Sequence, residues 1–284
     1  MPAITLIAED IMSSPVYAVS PRDTVAYARN LMVRHKISRV LVMDGVILTG
    51  IITQKDIGYR LLQHGARWRK RLPDKIPVGE YATKDLITVD PATPAKKVAG
   101  IFMEKNIGGV PVIVNGMVSG IVTKSDLMMS DLVATMRGVV RDVMEDAITV
   151  NLWHSLSHVV ALMKERDKKL VVTNNDGSVA GIITETSLAF HGETRKRSGE
   201  SVIEETGKKR KEHIRTMGPD PHSVAPLTAG DLMASPAVTV APGSAILYAV
   251  NLMHNEQVNN LVVVEHDTLV GILKRDDIIK EVAK

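Results

Sequence analysis

Apolar and polar positions along this chain recur in a fixed order. Val25, Ala28, Leu31 and Met32 fall at i, i+3, i+6 and i+7, one face of an α-helix. The stripe returns at Ala95, Val98, Ile101 and Phe102, at Leu156, Val159, Leu162 and Met163, and at Ile246, Ala249, Leu252 and Met253. Every one of these positions is apolar, which predicts four core-facing helices. Two β-rich runs follow each stripe: VLVM (40–43) then VILTGII, VPVIV (110–114) then MVSGIV, LVVT (170–173) then VAGII, and LVVV (261–264) then LVGIL. Asp44-Gly45, Asn115-Gly116 and Asp176-Gly177 between the runs are hairpin turn chemistry, and His266-Asp267 takes the fourth turn. A short extended piece ending at Val19, Val89, Val150 or Val240 precedes each stripe. A second helix is predicted to begin at GIITQKD (50–56), GIVTKSD (120–126), GIITETS (181–187) and GILKRDD (271–277).

These elements make a four-fold internal repeat. Residues 10–56 match 80–126 at an offset of 70 and 231–277 at an offset of 221, with 142–187 as the third copy. Three copies open on an acid-apolar-Met lead, EDIM (9–12), RDVM (141–144) and GDLM (230–233), whereas GEYA (79–82) departs from it. The recurring Met12, Met144 and Met233 read as core filler. Each repeat is β-α-β-β-α, an α/β unit of about fifty residues, too small to bury a good core alone, so pairing into two modules is expected. The expected boundaries are 1–66, 78–136, 139–192 and 228–284, with a mixed-charge insertion at 193–227.

Four copies of D-[ILV]-M, an amphipathic helix, a hydrophobic hairpin and G-h-h-T-x-x-D, with h apolar, resemble the CBS domain family. The resemblance covers nearly the whole chain apart from its first residues and linkers. It implies two Bateman modules, each a pair of repeats, packed side by side into a disc within one chain or by homodimerisation. A four-repeat chain without a catalytic domain is similar to the gamma subunit of AMP-activated protein kinase and to stand-alone archaeal and bacterial members. The resemblance further implies adenine-nucleotide ligands (AMP, ADP or ATP, with S-adenosylmethionine second) in clefts between paired repeats.

The residue types suit a nucleoside phosphate. A helix start with a hydroxyl at Thr53 or Thr123 suits phosphate, and Asp56 or Asp126 can accept from both ribose hydroxyls. Gly50 and Gly120 let a ligand or a neighbouring strand approach the backbone. The family pattern lays adenine against Ser14–Tyr17, with Val16 and Tyr17, and Asp85–Thr88, with Ile87, closed near Val40 and Val110. Thr-x-x-Asp is equally a capping box that serves only its own helix. The box prefers Glu or Gln, and repeat 4 keeps Asp277 although Lys274 replaces the threonine. Both points favour a role beyond capping. Repeat 4 offers Lys274 and Arg275 as charges for phosphate, while repeat 3 keeps Thr184 but has Ser187 for the acid. The expected order of sites is therefore repeats 1 and 2, then 4, then 3. The residue before each second-run strand is Arg39, Gly109, Lys169 or Asn260, and Arg39 either faces phosphate or is a solvated strand-start charge.

Composition narrows the remaining classes. The 284 residues include no cysteine, which excludes disulfides and thiol chemistry, and 3% aromatics argue against base-stacking surfaces. No apolar run is long enough for a bilayer and no signal peptide is recognised, so a cytoplasmic location with no membrane partner is expected. The net charge of +3 is concentrated in the linkers 58–80 and 191–227, leaving the rest negative. RWRKR (67–71) and GKKRKEH (207–213) leave a nucleic-acid or scaffold role as the alternative to a regulatory protein with a regulated protein partner. His154 and His158 lie at i, i+4 without a third local ligand, so no metal is expected. No arrangement of catalytic residues can be made out, and an enzyme is not expected.

Overall fold

The computed structural model describes residues 5–63, 73–166, 169–184, 187 and 227–284. The basic runs 67–71 and 208–211, and the insertion up to residue 226, lie outside the described residues.

Repeat 1 runs α1 (Ala8–Ile11), β1 (Ala18–Val19), α2 (Val25–Arg34), β2 (Arg39–Asp44), β3 (Ile47–Thr53) and α3 (Gln54–Gln63). Repeat 2 has α4 (Val78–Tyr81), α5 (Ala95–Glu104), β4 (Gly109–Val114), β5 (Met117–Thr123), α6 (Lys124–Met128) and the short α7 (Asp131–Ala134). In repeat 3 a 3₁₀ turn at Val140–Asp142 replaces the lead helix, followed by β6 (Ile148–Asn151), α8 (Leu156–Arg166), β7 (Leu170–Thr173) and β8 (Val179–Ile183). Repeat 4 comprises α9 (Ala229–Leu232), β9 (Thr239–Val240), α10 (Ile246–Asn255), β10 (Asn260–Glu265), β11 (Thr268–Lys274) and α11 (Arg275–Ala283). In repeats 1, 3 and 4 the first strand runs parallel to the second, which pairs antiparallel with the third. Val89 makes only a parallel bridge to Val112 where repeat 2 would have its first strand.

The predicted stripes are the buried faces. Val25, Ala28, Met32, Ala95, Val98, Phe102, Val159, Met163, Ile246, Ala249 and Met253 are all buried, with Leu31, Ile101, Leu156, Leu162 and Leu252 partly buried beside them. Helices α2, α5 and α10 pass into their strands through a left-handed residue, Lys36 (φ 53°), Asn106 (φ 49°) and Gln257 (φ 56°). The first hairpin turns one residue later than expected, at Gly45–Val46 between the paired Asp44 and Ile47.

Pairing of the repeats is reciprocal. Ser13 of repeat 1 bridges Ile121 of repeat 2, and Thr83 of repeat 2 bridges Ile51 of repeat 1. Glu145 with Ile272, and Ala234 with Ile182, do the same for repeats 3 and 4. Each lead segment thus leaves its own repeat and adds to the sheet edge of its partner. The two modules then pack side by side, because α11 lies along α5 and against α6 and α7. Ile278, Ile279 and Val282 share one core with Ala99, Phe102, Leu127 and Met128.

Candidate functional site

The starts of the second helices are capping boxes. Asp56 Oδ2 accepts from Thr53 N–H at 2.9 Å and from Thr53 Oγ1–H at 2.8 Å, while Asp56 N–H donates to Thr53 Oγ1 at 3.2 Å. Asp126 repeats this with Thr123 N–H at 2.7 Å and Thr123 Oγ1–H at 2.6 Å. Asp277 accepts from Lys274 N–H at 2.8 Å although no threonine is present. Ser187 Oγ takes the same place in repeat 3, accepting from Thr184 N–H at 3.3 Å. This corrects the inference drawn from Asp277: an aspartate three residues into the turn reaches the free amide without a hydroxyl opposite, so capping alone explains its retention. One carboxylate oxygen is thereby committed in repeats 1, 2 and 4.

The second oxygen distinguishes the repeats. Asp126 Oδ1 accepts from Ser13 Oγ at 2.8 Å, a residue carried across on the lead segment of repeat 1. No such donor to Asp56 Oδ1 occurs among the described residues, and Thr83, the counterpart of Ser13, is exposed. In repeat 4, Lys274 Nζ lies 2.5 Å from Glu145 Oε2 and 3.6 Å from Asp277 Oδ1. Its charge is met within the chain by two carboxylates, unlike the expectation that it stands ready for phosphate. Burial drives the Asp277 pKa up to about 7, and the Glu145 charge adds to this against the Lys274 hydrogen bond and charge. Arg275 Nη1 donates to Ser125 Oγ at 2.9 Å, in the other module.

Arg39 brings a buried guanidinium into this region. Its guanidinium crosses from repeat 1 onto Gly108 and Gly109 of repeat 2, where a Cβ on either glycine would come within 2.7 Å of a guanidinium nitrogen. Nη2 donates to Ser38 Oγ at 3.3 Å, and Nε is sealed from solvent with no hydrogen-bond partner among the described residues. Burial, with Arg275 close by, lowers its pKa to about 10 against the opposing pull of Asp126, Asp56 and Asp276. Nearby, buried Lys124 pairs with Asp276 at 2.8 Å; burial lowers the Lys124 pKa, while at Asp276 burial raises the pKa but is outweighed by the Lys124 charge and hydrogen bond together with the Arg275 and Lys169 charges, which lower it. Residues of repeats 1, 2 and 4 therefore meet in one charged cluster.

The proposed adenine wall is less uniform than expected. Tyr17 is partly exposed and stacks on His35 with centroids 4.1 Å apart, and Val16 and Ile87 are partly buried. Val40 and Val110 are 1% and 0% exposed, so their side chains lie in the core and do not line a cleft. Gly50 and Gly120 lie beneath the crossing lead segments: a Cβ on Gly50 would be 3.0 Å from Thr83 O, and one on Gly120 3.1 Å from Ser13 O. The neighbouring strand makes the close approach. His154 Nδ1 accepts from Asn151 N–H at 2.9 Å, and no group of three metal-ligating side chains occurs among the described residues.

Sequence reasoning passed over Ser13, Lys124, Ser125, Glu145 and Asp276. A signal was available in the two variable positions of the heptapeptide, which read Lys-Ser in repeat 2 and Arg-Asp in repeat 4, opposite charges at facing helix starts.

The family model for the CBS domain matches residues 8–62, 78–132, 140–192 and 229–284. Over 97% of this chain and 99% of the other, the fold superposes with TM-score 0.75 and 20% identity on protein MJ1225 of Methanocaldococcus jannaschii, which has been proposed as an archaeal homolog of g-AMPK. The uncharacterised protein MJ1232 of the same organism is 26% identical over 145 residues, 50% of this chain and 48% of its own. The A-adding tRNA nucleotidyltransferase of Geobacter sulfurreducens is 29% identical over 130 residues, 46% of this chain and only 14% of the enzyme. The matched region thus spans less than half of either sequence relative. No helix among the described residues is long and apolar enough to cross a membrane.

Proposed function

Because the chain belongs to the CBS-domain family, with four matched domains, we propose that it is a regulatory protein without catalytic activity that binds adenine nucleotides between repeats 1 and 2. The observation that carries this reading is Arg39. A guanidinium with its Nε buried and unbonded is costly unless an anion completes its hydrogen bonds. Two carboxylates, Asp56 and Asp126, act on it from the helix starts of the paired repeats. A nucleoside phosphate joins the two requirements: ribose hydroxyls for a carboxylate oxygen and phosphate for Arg39.

The capping geometry sets how the ribose is held. With Oδ2 occupied by the cap, Oδ1 is the acceptor at Asp56, which makes repeat 1 the more open site. At Asp126 the ribose displaces or shares the Ser13 hydroxyl. Repeats 3 and 4 rank below, because repeat 3 lacks the acid and Lys274 of repeat 4 is neutralised by Glu145 and Asp277. Ligand occupancy would bias how the modules present themselves to a regulated protein partner.

Calorimetric titration of the full chain with adenosine, AMP, ADP, ATP and S-adenosylmethionine tests the proposal. The nucleotides are expected to bind tighter than about 1 mM, and Arg39→Gln to weaken AMP by about tenfold while sparing adenosine, the scale of one charged hydrogen bond. Asp56→Ala with Asp126→Ala is expected to weaken all of them. Absence of binding below millimolar concentrations, or equal loss of adenosine and AMP in Arg39→Gln, would remove the proposal.

A further inference from the structure

The four places where a lead segment crosses a glycine differ in one side chain. A Cβ on Gly120 would lie 2.5 Å from Met12 Sδ, one on Gly181 2.8 Å from Met233 Sδ, and one on Gly271 3.2 Å from Met144 Sδ. In three repeats, then, a methionine of the partner repeat fills the space above the missing Cβ. At Gly50 the crossing residue is Ala82, whose Cβ would be 3.2 Å away and which carries nothing beyond it. Next to Ala82 opens a cavity of about 270 Å³ lined by Pro21, Val42, Thr49, Gly79, Ala82 and Lys84.

Two polar groups of its walls are already engaged. Thr49 Oγ1 donates to the Val42 carbonyl at 3.0 Å, and Gly79 N–H to the Pro21 carbonyl at 3.0 Å. Pro21, Val42 and Ala82 offer only carbon side chains. Lys84 is exposed and has no ion pair among the described residues. None of these residues belongs to the Thr53–Asp56 turn, the Thr123–Asp126 turn or the Arg39 seat.

We propose that this cavity is a second ligand site, separate from the nucleotide clefts, for a short-chain monocarboxylate whose hydrocarbon tail takes the place of the missing methionine and whose carboxylate pairs with Lys84. A branched or linear chain of about four to eight carbons suits a pocket at the small end of the ligand-site range. A single exposed ammonium, with no converging amide donors, suits one carboxylate better than a phosphate ester. The site follows from a difference between repeats of one chain, so it stands whether or not nucleotide binds.

Ligand-observed NMR and calorimetry on the full chain with butyrate, hexanoate, octanoate and neutral hexanamide test it. Hexanoate is expected to bind saturably with Kd on the order of 0.1–1 mM, the range for so few atoms in an apolar pocket. Hexanamide is expected to bind about two- to fivefold more weakly, the worth of one exposed ion pair. Ala82→Met, which copies the other three repeats, is expected to cut hexanoate affinity at least about tenfold with an unchanged circular dichroism spectrum. Lys84→Gln is expected to bring hexanoate down to the hexanamide level without altering hexanamide. No saturation by about 10 mM hexanoate, full affinity in folded Ala82→Met, or an unaltered preference for hexanoate in Lys84→Gln overturns the assignment. Should Ala82→Met not fold, Lys84→Gln decides it alone.

Discussion

At the scale of single residues, Asp277 carries the clearest electrostatic consequence. Its side chain is buried, its Oδ2 accepts from Lys274 N–H, and the Lys274 ammonium that faces it is shared with Glu145. Burial holds its pKa near 7, above the usual 3.9 or so of an unfolded aspartate. Between these values the folded chain binds the proton more tightly than the unfolded chain. The stabilisation is therefore present in full below about pH 4 and is lost as pH rises toward 7, a swing on the order of 2–4 kcal/mol. Asp277→Asn keeps an acceptor for the amide and removes the titration. Urea unfolding at pH 5 and pH 8 should find the variant gaining on the parent at pH 8, with a flatter pH profile. An equal loss at both pH values would mean that the carboxylate is ionised and paired throughout. Residue identities alone did not reach this point. The sequence marks Asp56, Asp126 and Asp277 as special, but which oxygen serves the cap is a matter of 2.7–2.9 Å geometry. Glu145 lies 129 positions from Lys274 and carries no local mark.

Among elements, the lead segments hold each module together. Their exchange explains why acid-apolar-Met and Gly-h-h-Thr recur as a set: the methionine of one repeat covers the glycine of its partner. Gly120→Ala would set a methyl 2.5 Å from Met12 Sδ and 3.1 Å from the Ser13 carbonyl. Such overpacking costs about 1–3 kcal/mol. It should also lift Ser13 from Asp126, because Ser13 lies on the displaced lead segment beside Met12. Adding Met12→Ala removes the side chain that the new methyl meets and should recover part of the loss. A double-mutant cycle measured by denaturant titration checks it, and strict additivity of the two changes would refute the contact. The helix stripes were legible because a 3.6-residue period is local. The exchange was not, since Met12 and Gly120 are far apart in the chain and each looks complete within its own repeat.

For the whole molecule, comparison of repeats identifies what joins the modules. Ile57, Leu127 and Ile278 occupy equivalent positions and are 0% exposed, Ile57 in the core of repeat 1 and the others in the core shared by repeats 2 and 4. One position later stand Gly58, Met128 and Ile279. Repeat 1 has no side chain there, whereas Met128 and Ile279 join that shared core from α6 and α11, the helices whose starts are tied by Lys124–Asp276 and Arg275–Ser125. Leu127 and Ile278 lie in that shared core as well, so in repeats 2 and 4 this turn of helix belongs to the junction between modules, whereas Ile57 of repeat 1 packs in a separate core. A continuous core across the junction implies that the modules unfold together, in a single calorimetric transition whose van't Hoff and calorimetric enthalpies agree. Ile279→Ala removes a buried side chain at a cost of about 2–5 kcal/mol, and because that cost falls on the junction it should split the transition in two. Ile57→Ala carries a similar cost in the separate core of repeat 1 and should lower the midpoint without splitting it. Two transitions already present in the parent chain, or splitting by Ile57→Ala and not by Ile279→Ala, would place the junction elsewhere.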